Sequence, residues 1–277
     1  MFMPFIRRLM APFALALLLY APLHSAHADL DKLKHDGILK VAVYKDFAPF
    51  SAQDSGIDID LARALAEKLG LRLSLLPFDA GEDLGDDLRN MVWKGHYLGY
   101  GPADVLMHVP VDPRLMDGAR KVKIFAPYYH ENVRLVRDVR KIPTYDGVDS
   151  LAGKKVGVEK VSISAMVMLG EQDGKFRDNV KIYPTAVEAL EKLKAGELDA
   201  VLANRSEIES VIRQDPNFAL SEATFQRLPR QGWVVGMAVK NDNVELAKAL
   251  QAATNDLAAS GQLAQIFARH GVTLARP

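Results

Sequence analysis

The sequence predicts an α/β protein that is built from two similar halves. One pattern recurs, in which a β-run leads into a turn with polar groups and then into an amphipathic helix. It occupies residues 39–70, starts again at residue 155, and returns in residues 185–203. The ends of strands in α/β sheets present backbone and polar side chains to ligands. Two such halves that face each other predict a cleft, and therefore a two-lobed binding protein.

The first half contains three strands with a helix after the first of them. Leu39–Val43 is an almost continuous apolar run, which is typical of a strand covered on both faces. Asp58–Leu69 carries leucines at four-residue spacing and is followed by Gly70, a helix-terminating signal. Leu71–Leu76 and Asp104–Met107 are the next two predicted strands, with a helix at residues 86–92 between them. The order strand, helix, strand predicts parallel pairing through a right-handed crossover.

The second half repeats this order with clearer helix signals. Lys155–Val158 and Asp199–Ala203 are predicted strands. Capping boxes are expected at residues 185–188 and 206–209, where a Ser or Thr precedes a Glu by three positions. The C-terminal part is predicted to form one strand and two helices, at Gly232–Val239, Val244–Ala259 and Gln262–His270.

The N-terminus has the features of an export signal. Arg7 and Arg8 precede an apolar core at Leu9–Tyr20, and residues 26–28 form a small-x-small cleavage site before Asp29. We therefore predict a signal peptide at residues 1–28. The alternative is an uncleaved membrane anchor, but the apolar core is shorter than the roughly 20 residues that a spanning helix needs. No later segment predicts a membrane span.

The composition excludes several classes of function. The remainder of the 277-residue chain suits two lobes of roughly 100–150 residues each. The absence of cysteine excludes disulfides, thiolate metal sites and cysteine nucleophiles. Since 35 basic residues balance 35 acidic ones, no charge pattern predicts nucleic-acid binding. The polar stretch 138–150 predicts a connection between the two units.

Six short motifs in order carry a resemblance to a known family. The chain resembles the periplasmic solute-binding proteins of family 3, which are best known for polar amino acids. The resemblance extends over nearly all of the predicted mature chain. The motifs are Phe47–Phe50, Gly56–Leu61, Phe125–Tyr129, Leu151–Val158, Asp199–Leu202 and Gly261–Gly271.

This resemblance implies a two-lobed periplasmic-binding-protein fold of type II, in which two hinge strands join two α/β lobes. Lobe 1 is expected to comprise residues 29–130 and 233–277, and lobe 2 residues 131–232. The hinges are expected near Tyr129–Asn132 and Arg230–Val234. Closure about such hinges buries a small solute, and the periplasm is the expected location.

The resemblance also assigns candidate ligand-binding residues. Family members hold the ligand between aromatic rings, and Phe47 and Phe78 match those positions, with plain core packing as the alternative; for Phe50 we favour core packing. Arg114 matches an arginine that binds the ligand carboxylate at the start of a helix. The alternative for Arg114 is a solvated surface group.

In lobe 2 the resemblance points to a turn that binds an anionic group. Ser162 and Ser164 match this turn, and the alternative is that they cap the following helix. Asn204, followed by Arg205, stands where the family has an aspartate for the ligand ammonium. An asparagine can accept a hydrogen bond but cannot neutralise a buried ammonium.

Two further departures make an ordinary α-amino acid an unexpected ligand. Tyr44 stands where many members have an acidic residue. Residues 107–110 replace a glycine-rich segment, so His108 lies in the ligand loop and Pro110 lacks a backbone donor.

An additional loop at residues 93–103 points to a subgroup. Gly95, Gly99 and Gly101 alternate with aromatic residues, which predicts special backbone angles and stacking surfaces. The loop is similar to that of the binding-protein-like partners of PQQ-dependent alcohol and methanol dehydrogenases.

We therefore expect a non-catalytic periplasmic protein that binds a small solute, or serves as an accessory partner, in a quinoprotein dehydrogenase system. The alternative is a receptor that delivers an amino acid or a small organic acid to an ABC permease. A third possibility is a dehydratase-like enzyme, with His108 and Glu159 as the acid or base across the cleft.

The expected ligand is a small polar or anionic solute, and no cofactor or metal is expected. One hypothesis places PQQ itself in the cleft, with its carboxylates on Arg114, Arg205 and the turn at 162–164. His96, His108 and His130 lack the spacing of a metal site.

Overall fold

The structure is a computed structural model that describes residues 28–228 and 231–277. Residues 1–27 of the predicted signal peptide, and Arg230 of the second expected hinge, lie outside the described residues. Within the described ranges, no helix is both long enough and apolar enough to cross a membrane.

The described part of the chain alternates strands and helices throughout. The strands are β1 (Ile38–Tyr44), β2 (Arg72–Phe78), β3 (Val105–Pro110), β4 (Val122–Glu131), β5 (Val133–Asp138), β6 (Val156–Glu159), β7 (Val180–Tyr183), β8 (Ala200–Asn204), β9 (Phe218–Glu222) and β10 (Trp233–Lys240). The α-helices are α1 (Ala28–Asp36), α2 (Ile57–Lys68), α3 (Leu84–Leu88), α4 (Pro113–Gly118), α5 (Ile163–Gly170), α6 (Ala186–Lys194), α7 (Arg205–Ile212), α8 (Val244–Ala259) and α9 (Gln262–Arg269). A π-helical turn (Arg89–Trp93) continues α3, and short 3₁₀ turns occupy Val148–Leu151, Glu171–Gly174 and Arg177–Asn179.

The strands form two five-stranded mixed sheets. The first sheet has the order β2-β1-β3-β10-β4, and the second has the order β7-β6-β8-β5-β9. In the first sheet β1 is parallel to β2 and β3, and in the second β6 is parallel to β7 and β8. The parallel pairing predicted from the order of elements is thus confirmed. β10 and β5 run antiparallel to their neighbours.

Each sheet is covered on both faces. Leu39, Val41 and Val43 of β1 pack into a core that includes α2, α8 and α9, whereas Ala42 faces a second core with α3 and the π turn. This arrangement explains why β1 is almost continuously apolar, since both of its faces are removed from water. The second sheet likewise separates two apolar clusters.

Two of the expectations about the second half were wrong. The polar stretch 138–150 does not connect the units, because it starts at the end of β5, inside the second sheet. The capping box expected at residues 206–209 lies two residues earlier, since β8 runs directly into α7. Asn204 is the N-cap, and its backbone N–H donates to Glu207 Oε2 at 2.9 Å. The N-cap at Thr185 is confirmed, because its hydroxyl accepts from the Glu188 N–H at 3.2 Å.

Two chain segments pass side by side between the sheets. β4 ends at Glu131 and β5 begins at Val133, while Trp233, the first residue of β10, pairs with Glu131. Gly232 has φ +65°, and a Cβ at this position would lie 2.0 Å from the Glu131 carbonyl oxygen. Only glycine permits this close approach of the two segments.

Candidate functional site: a cleft between the two sheets

Two adjoining cavities lie between the sheets. The central cavity has a volume of about 210 Å³ and the side cavity about 190 Å³. Together they fall near the lower end of the range of about 300–1,000 Å³ found for small-molecule sites. Asn204, Glu207 and Trp233 line both cavities; Phe47, Ala48, Phe50, His108 and Glu131 complete the central one, and Glu159, Ser162, Ile163, Ser164, Ala186, Leu202 and Ala203 complete the side one.

Aromatic rings form one wall of the central cavity. Phe47 and Phe50 stack with centroids 5.5 Å apart, because the tight turn that follows β1 brings both rings to the same side. The His108 ring lies 4.8 Å from Phe47 and 4.1 Å from Phe50. Trp233 packs against the cores of both sheets. Phe50 is therefore both buried and part of the cavity wall. From the sequence we expected it to pack in the core alone.

His108 is held by a buried hydrogen-bonded network. Its Nδ1 lies 3.1 Å from Oδ2 of Asp58, whose side chain is 1% exposed. The Tyr128 hydroxyl donates to Oδ1 of Asp58 at 2.7 Å and accepts from the His108 N–H at 3.1 Å. His108 has φ +60°, a left-handed conformation that is costly for a non-glycine residue. With Nδ1 directed at Asp58, Nε2 remains the ring nitrogen available to a ligand.

Glu131 contributes a buried carboxylate to the central cavity. It is 1% exposed, the Ser206 hydroxyl donates to its Oε2, and the Asn132 N–H donates to its Oε1 at 2.9 Å. Burial raises the pKa of Glu131 to about 6. The negative form therefore lacks the solvation that water would give it.

Glu207 and Glu159 add two more carboxylates. Burial, together with the negative charges of Glu159 and Glu131, raises the pKa of Glu207 to about 8. Burial also raises the pKa of Glu159, which accepts a hydrogen bond from the Ala186 N–H. Like charges at this range oppose one another's ionisation, so all three carboxylates would be stabilised by a positive charge in the cavities.

The two arginines expected to bind an anion are placed elsewhere. Arg114 is exposed on α4, whose N-cap Asp112 accepts from the Leu115 N–H at 3.0 Å. Arg205 forms an ion pair through its Nε with Oε1 of Glu209 at 2.6 Å. Among the described residues that line the two cavities, none is a lysine or an arginine.

The remaining aromatic predictions divide between the cleft and the core. Phe47 lines the central cavity. Tyr44 and Phe78 pack together with centroids 4.7 Å apart, and neither lines a cavity. The Tyr44 hydroxyl donates to Oδ2 of Asp87 at 3.0 Å, and burial raises the pKa of Tyr44.

Of the predicted residues of the second half, Ser162, Ser164 and Asn204 line the side cavity, and Arg205 does not. Ser164 and Asn204 contribute directly to its walls. The Ser162 hydroxyl is engaged on both sides, since it accepts from the Ala165 N–H at 3.0 Å and donates to the Glu159 carbonyl at 2.7 Å. It therefore caps α5, as the alternative interpretation proposed.

Sequence reasoning missed Trp233, Glu131 and Glu207 as site residues. Trp233 was included only in a predicted strand and a hinge. Glu131 lies two residues after the apolar run that ends in Tyr129, and a carboxylate so close to such a run was an available signal of a buried polar group. Glu207 lies three residues after Asn204, the spacing of a capping box, which a correct helix start would have revealed.

The additional loop lies apart from the two cavities. Its glycines at 95, 99 and 101 all have positive φ, which confirms the prediction of special backbone angles. His96 stacks on Tyr100 at 4.3 Å, whereas Tyr97 is 88% exposed. In the described residues, no three side chains of the metal-binding types are grouped to hold an ion.

Comparison with known proteins finds distant relatives that include an enzyme and transport proteins. No protein-family model matches the chain. The cyclohexadienyl dehydratase of Pseudomonas aeruginosa is 24% identical over 219 residues, covering 73% of the chain and 72% of that protein. The ABC transporter arginine-binding protein 1 of Escherichia coli is 24% identical over 227 residues, covering 81% of the chain and 86% of that protein.

Solved structures give the same architecture. An ancestral cationic amino acid solute-binding protein matches with a TM-score of 0.69 at 20% identity, covering 88% of the chain and 99% of that structure. A Streptococcus pneumoniae amino acid ABC transporter substrate-binding protein bound to L-arginine matches with a TM-score of 0.59 at 27% identity, covering 87% and 97%. The chain therefore has the two-lobed α/β fold of type II periplasmic binding proteins, as the sequence predicted.

Proposed function

We propose that this chain is a solute-binding protein of family 3 that delivers a small, positively charged solute to an ABC permease. The observation that carries the proposal is the lining of the two cavities, in which three carboxylates and several aromatic faces surround a space between the lobes. Carboxylates neutralise a buried cation, and aromatic faces attract one.

The similarity to binding proteins supports this function over an accessory role. The relatives in sequence and structure include proteins named for arginine and for cationic amino acids. A positively charged ligand would also account for the cluster Glu131, Glu159 and Glu207, which otherwise raises the free energy of the empty protein. The anionic solute expected from the sequence, and PQQ with it, lacks a cationic partner among the described lining residues.

Thermal unfolding tests this proposal. The protein would be heated with amino acids, amines, small organic acids, alcohols and PQQ, each in a separate sample. A ligand at 100 times its dissociation constant adds about 2.7 kcal/mol, which raises Tm by several degrees. We expect shifts with cationic compounds alone. A rise in Tm with organic acids or PQQ would contradict the proposal. The absence of a rise with every compound would also contradict it.

A dehydratase-like activity is a second candidate. His108, bound to Asp58, and Glu207, with its pKa raised to about 8, face the same cavity. At neutral pH Glu207 would hold a proton for a leaving hydroxyl, while Nε2 of His108 would accept one from carbon. The relative named cyclohexadienyl dehydratase adds support.

This second candidate has a direct assay. A hydroxylated cyclohexadienyl acid that loses water becomes aromatic, and the aromatic product is measured by its ultraviolet absorbance. Product formation that disappears in His108→Ala would establish the activity. No product above the rate in buffer would exclude it.

Two finer expectations stay predictions. The association with a quinoprotein dehydrogenase depends on the loop at residues 93–103, whose exposed Tyr97 and Leu98 would be available to a partner. Location in the periplasm depends on the signal peptide, and N-terminal sequencing of the exported protein would test cleavage before Asp29.

A further inference from the structure

We propose that the ligand is an amine or a guanidine that lacks a carboxylate, rather than an amino acid. This inference deepens the proposed function, since it assumes that the cleft binds a small cation. It rests on the hydrogen-bond donors that the protein's own carboxylates already engage, and on the charge of those carboxylates.

Acidic side chains, and no lysine or arginine among the described residues, line the two cavities. An amino acid brings a carboxylate as well as its cationic groups, and a buried carboxylate needs a cation or several hydrogen-bond donors. The described lining residues offer three carboxylates, Glu131, Glu159 and Glu207, and no lysine or arginine. A ligand carboxylate would therefore meet three acidic side chains and no lysine or arginine among the described lining residues.

Helix N-termini border the side cavity. Backbone N–H groups at a helix N-terminus are the usual alternative partners of a ligand carboxylate. Here the protein's own carboxylates already accept from several of these groups. Glu159 accepts from the Ala186 N–H at the start of α6, and Glu207 accepts from the Asn204 N–H at the start of α7.

Glu131 engages the next donors of α7. The Ser206 hydroxyl donates to Glu131 Oε2, and the Ser206 N–H lies 3.5 Å from Oε1. The Arg205 N–H donates to the Asn132 carbonyl at 2.8 Å. The N-terminal donors of α7 are thus directed at groups of the protein itself, so a ligand carboxylate would have to displace them.

Acidic and aromatic side chains of the lining remain for the ligand. The free oxygens of Glu159 and Glu207, together with the faces of Phe47 and Trp233, are all attractive to a cation. Carboxylates lie in both cavities, so a molecule with a charge at each end would find a partner in each. The chemistry therefore selects small amines, diamines and guanidines.

Matched pairs of compounds test this inference directly. Calorimetry would compare agmatine with L-arginine, cadaverine with L-lysine and putrescine with L-ornithine, because each pair differs only in the carboxylate. We expect the amine of at least one pair to bind tenfold or more tightly than its amino acid. An amino acid that binds as tightly as its amine would overturn the inference and leave the proposed solute receptor standing. No binding by any of the six compounds would overturn both.

Variants of the lining carboxylates supply the second arm. Glu207→Gln and Glu159→Gln are each expected to weaken binding of the preferred amine at least tenfold. Glu222→Gln makes the same change of charge at a side chain that is 82% exposed in β9 and pairs with Arg134, so it should leave affinity unchanged. Equal affinities for the wild type and both cavity variants would also overturn the inference.

Discussion

The imidazole of His108 is fixed to the buried carboxylate of Asp58, with 3.1 Å between Nδ1 and Oδ2. This contact joins the middle of β3 to the first turn of α2, and the Tyr128 hydroxyl on β4 completes the network. The His108 ring lines the central cavity, and its position is fixed by hydrogen bonds to buried groups in the core of the first sheet.

Asp58→Ala should be strongly destabilising. The change removes a buried acceptor and leaves the Tyr128 hydroxyl and the His108 ring without their partner, which we expect to cost about 3 kcal/mol. Urea unfolding measures the loss. Asp60→Ala on the same helix is the control, because Asp60 is 19% exposed and pairs with partners that reach solvent, Arg63, Arg269 and His270, and its loss should cost about 1 kcal/mol. Equal losses of unfolding free energy in the two variants would show that the buried network stabilises the fold no more than the ion pairs of Asp60 do.

Position 108 should tolerate glycine better than alanine. His108 has φ +60°, which strains any residue with a Cβ but not glycine. Both variants lose the contact with Asp58, so their difference reports the backbone alone. We expect His108→Gly to be more stable than His108→Ala by about 1 kcal/mol in urea unfolding. The reverse order would mean that the backbone relaxes once the imidazole is removed.

The fold could be predicted because its signals are local and repeated. The apolar run at residues 39–43 forms β1, the helix signals before Gly70 form α2, and β1 pairs in parallel with β2 as the order of elements predicts. The stretch at 138–150 was misplaced for the opposite reason. Its polar composition indicates only a loop, and whether a loop lies within a sheet or between two sheets depends on the long-range partners of β5.

The candidate site was less predictable because its character depends on burial. Glu131 and Glu207 look like ordinary charged residues in the sequence, and only the packing of both lobes gives them raised pKa values. Arg114 shows the converse, since a cation that the resemblance assigned to the ligand lies exposed on α4. No residue of this short helix is buried, so α4 as a whole lies at the surface.

Stability should fall as the pH rises, because of Glu207. Its pKa is about 8 in the folded protein and near 4.5 when unperturbed. Between these values the folded protein holds a proton that the unfolded chain has lost, so the free energy of unfolding decreases by at most about 1.4 kcal/mol per pH unit.

Glu207→Gln removes this titration and retains an oxygen that can accept from the Asn204 N–H. The variant should gain stability over the wild type as the pH rises from about 5 to 8, with the gain level above that. Urea unfolding at each pH measures it. A difference that stays constant with pH would contradict the raised pKa.

Gly232→Ala should strongly lower the free energy of unfolding, because Gly232 lies where the two interlobe segments meet. A Cβ there would lie 2.0 Å from the Glu131 carbonyl oxygen, so either β4 or β10 must shift in addition to the strain of φ +65°. We expect a loss of about 3 kcal/mol or more in urea unfolding, together with weaker ligand binding, since Trp233 and Glu131 both line the central cavity.

Gly196→Ala is the matched control, because Gly196 has φ +78° with open space around its Cβ direction. It should cost about 1 kcal/mol and leave binding unchanged. Similar costs for the two variants would mean that the segments separate freely, and that the close approach at Gly232 does not hold the lobes in register.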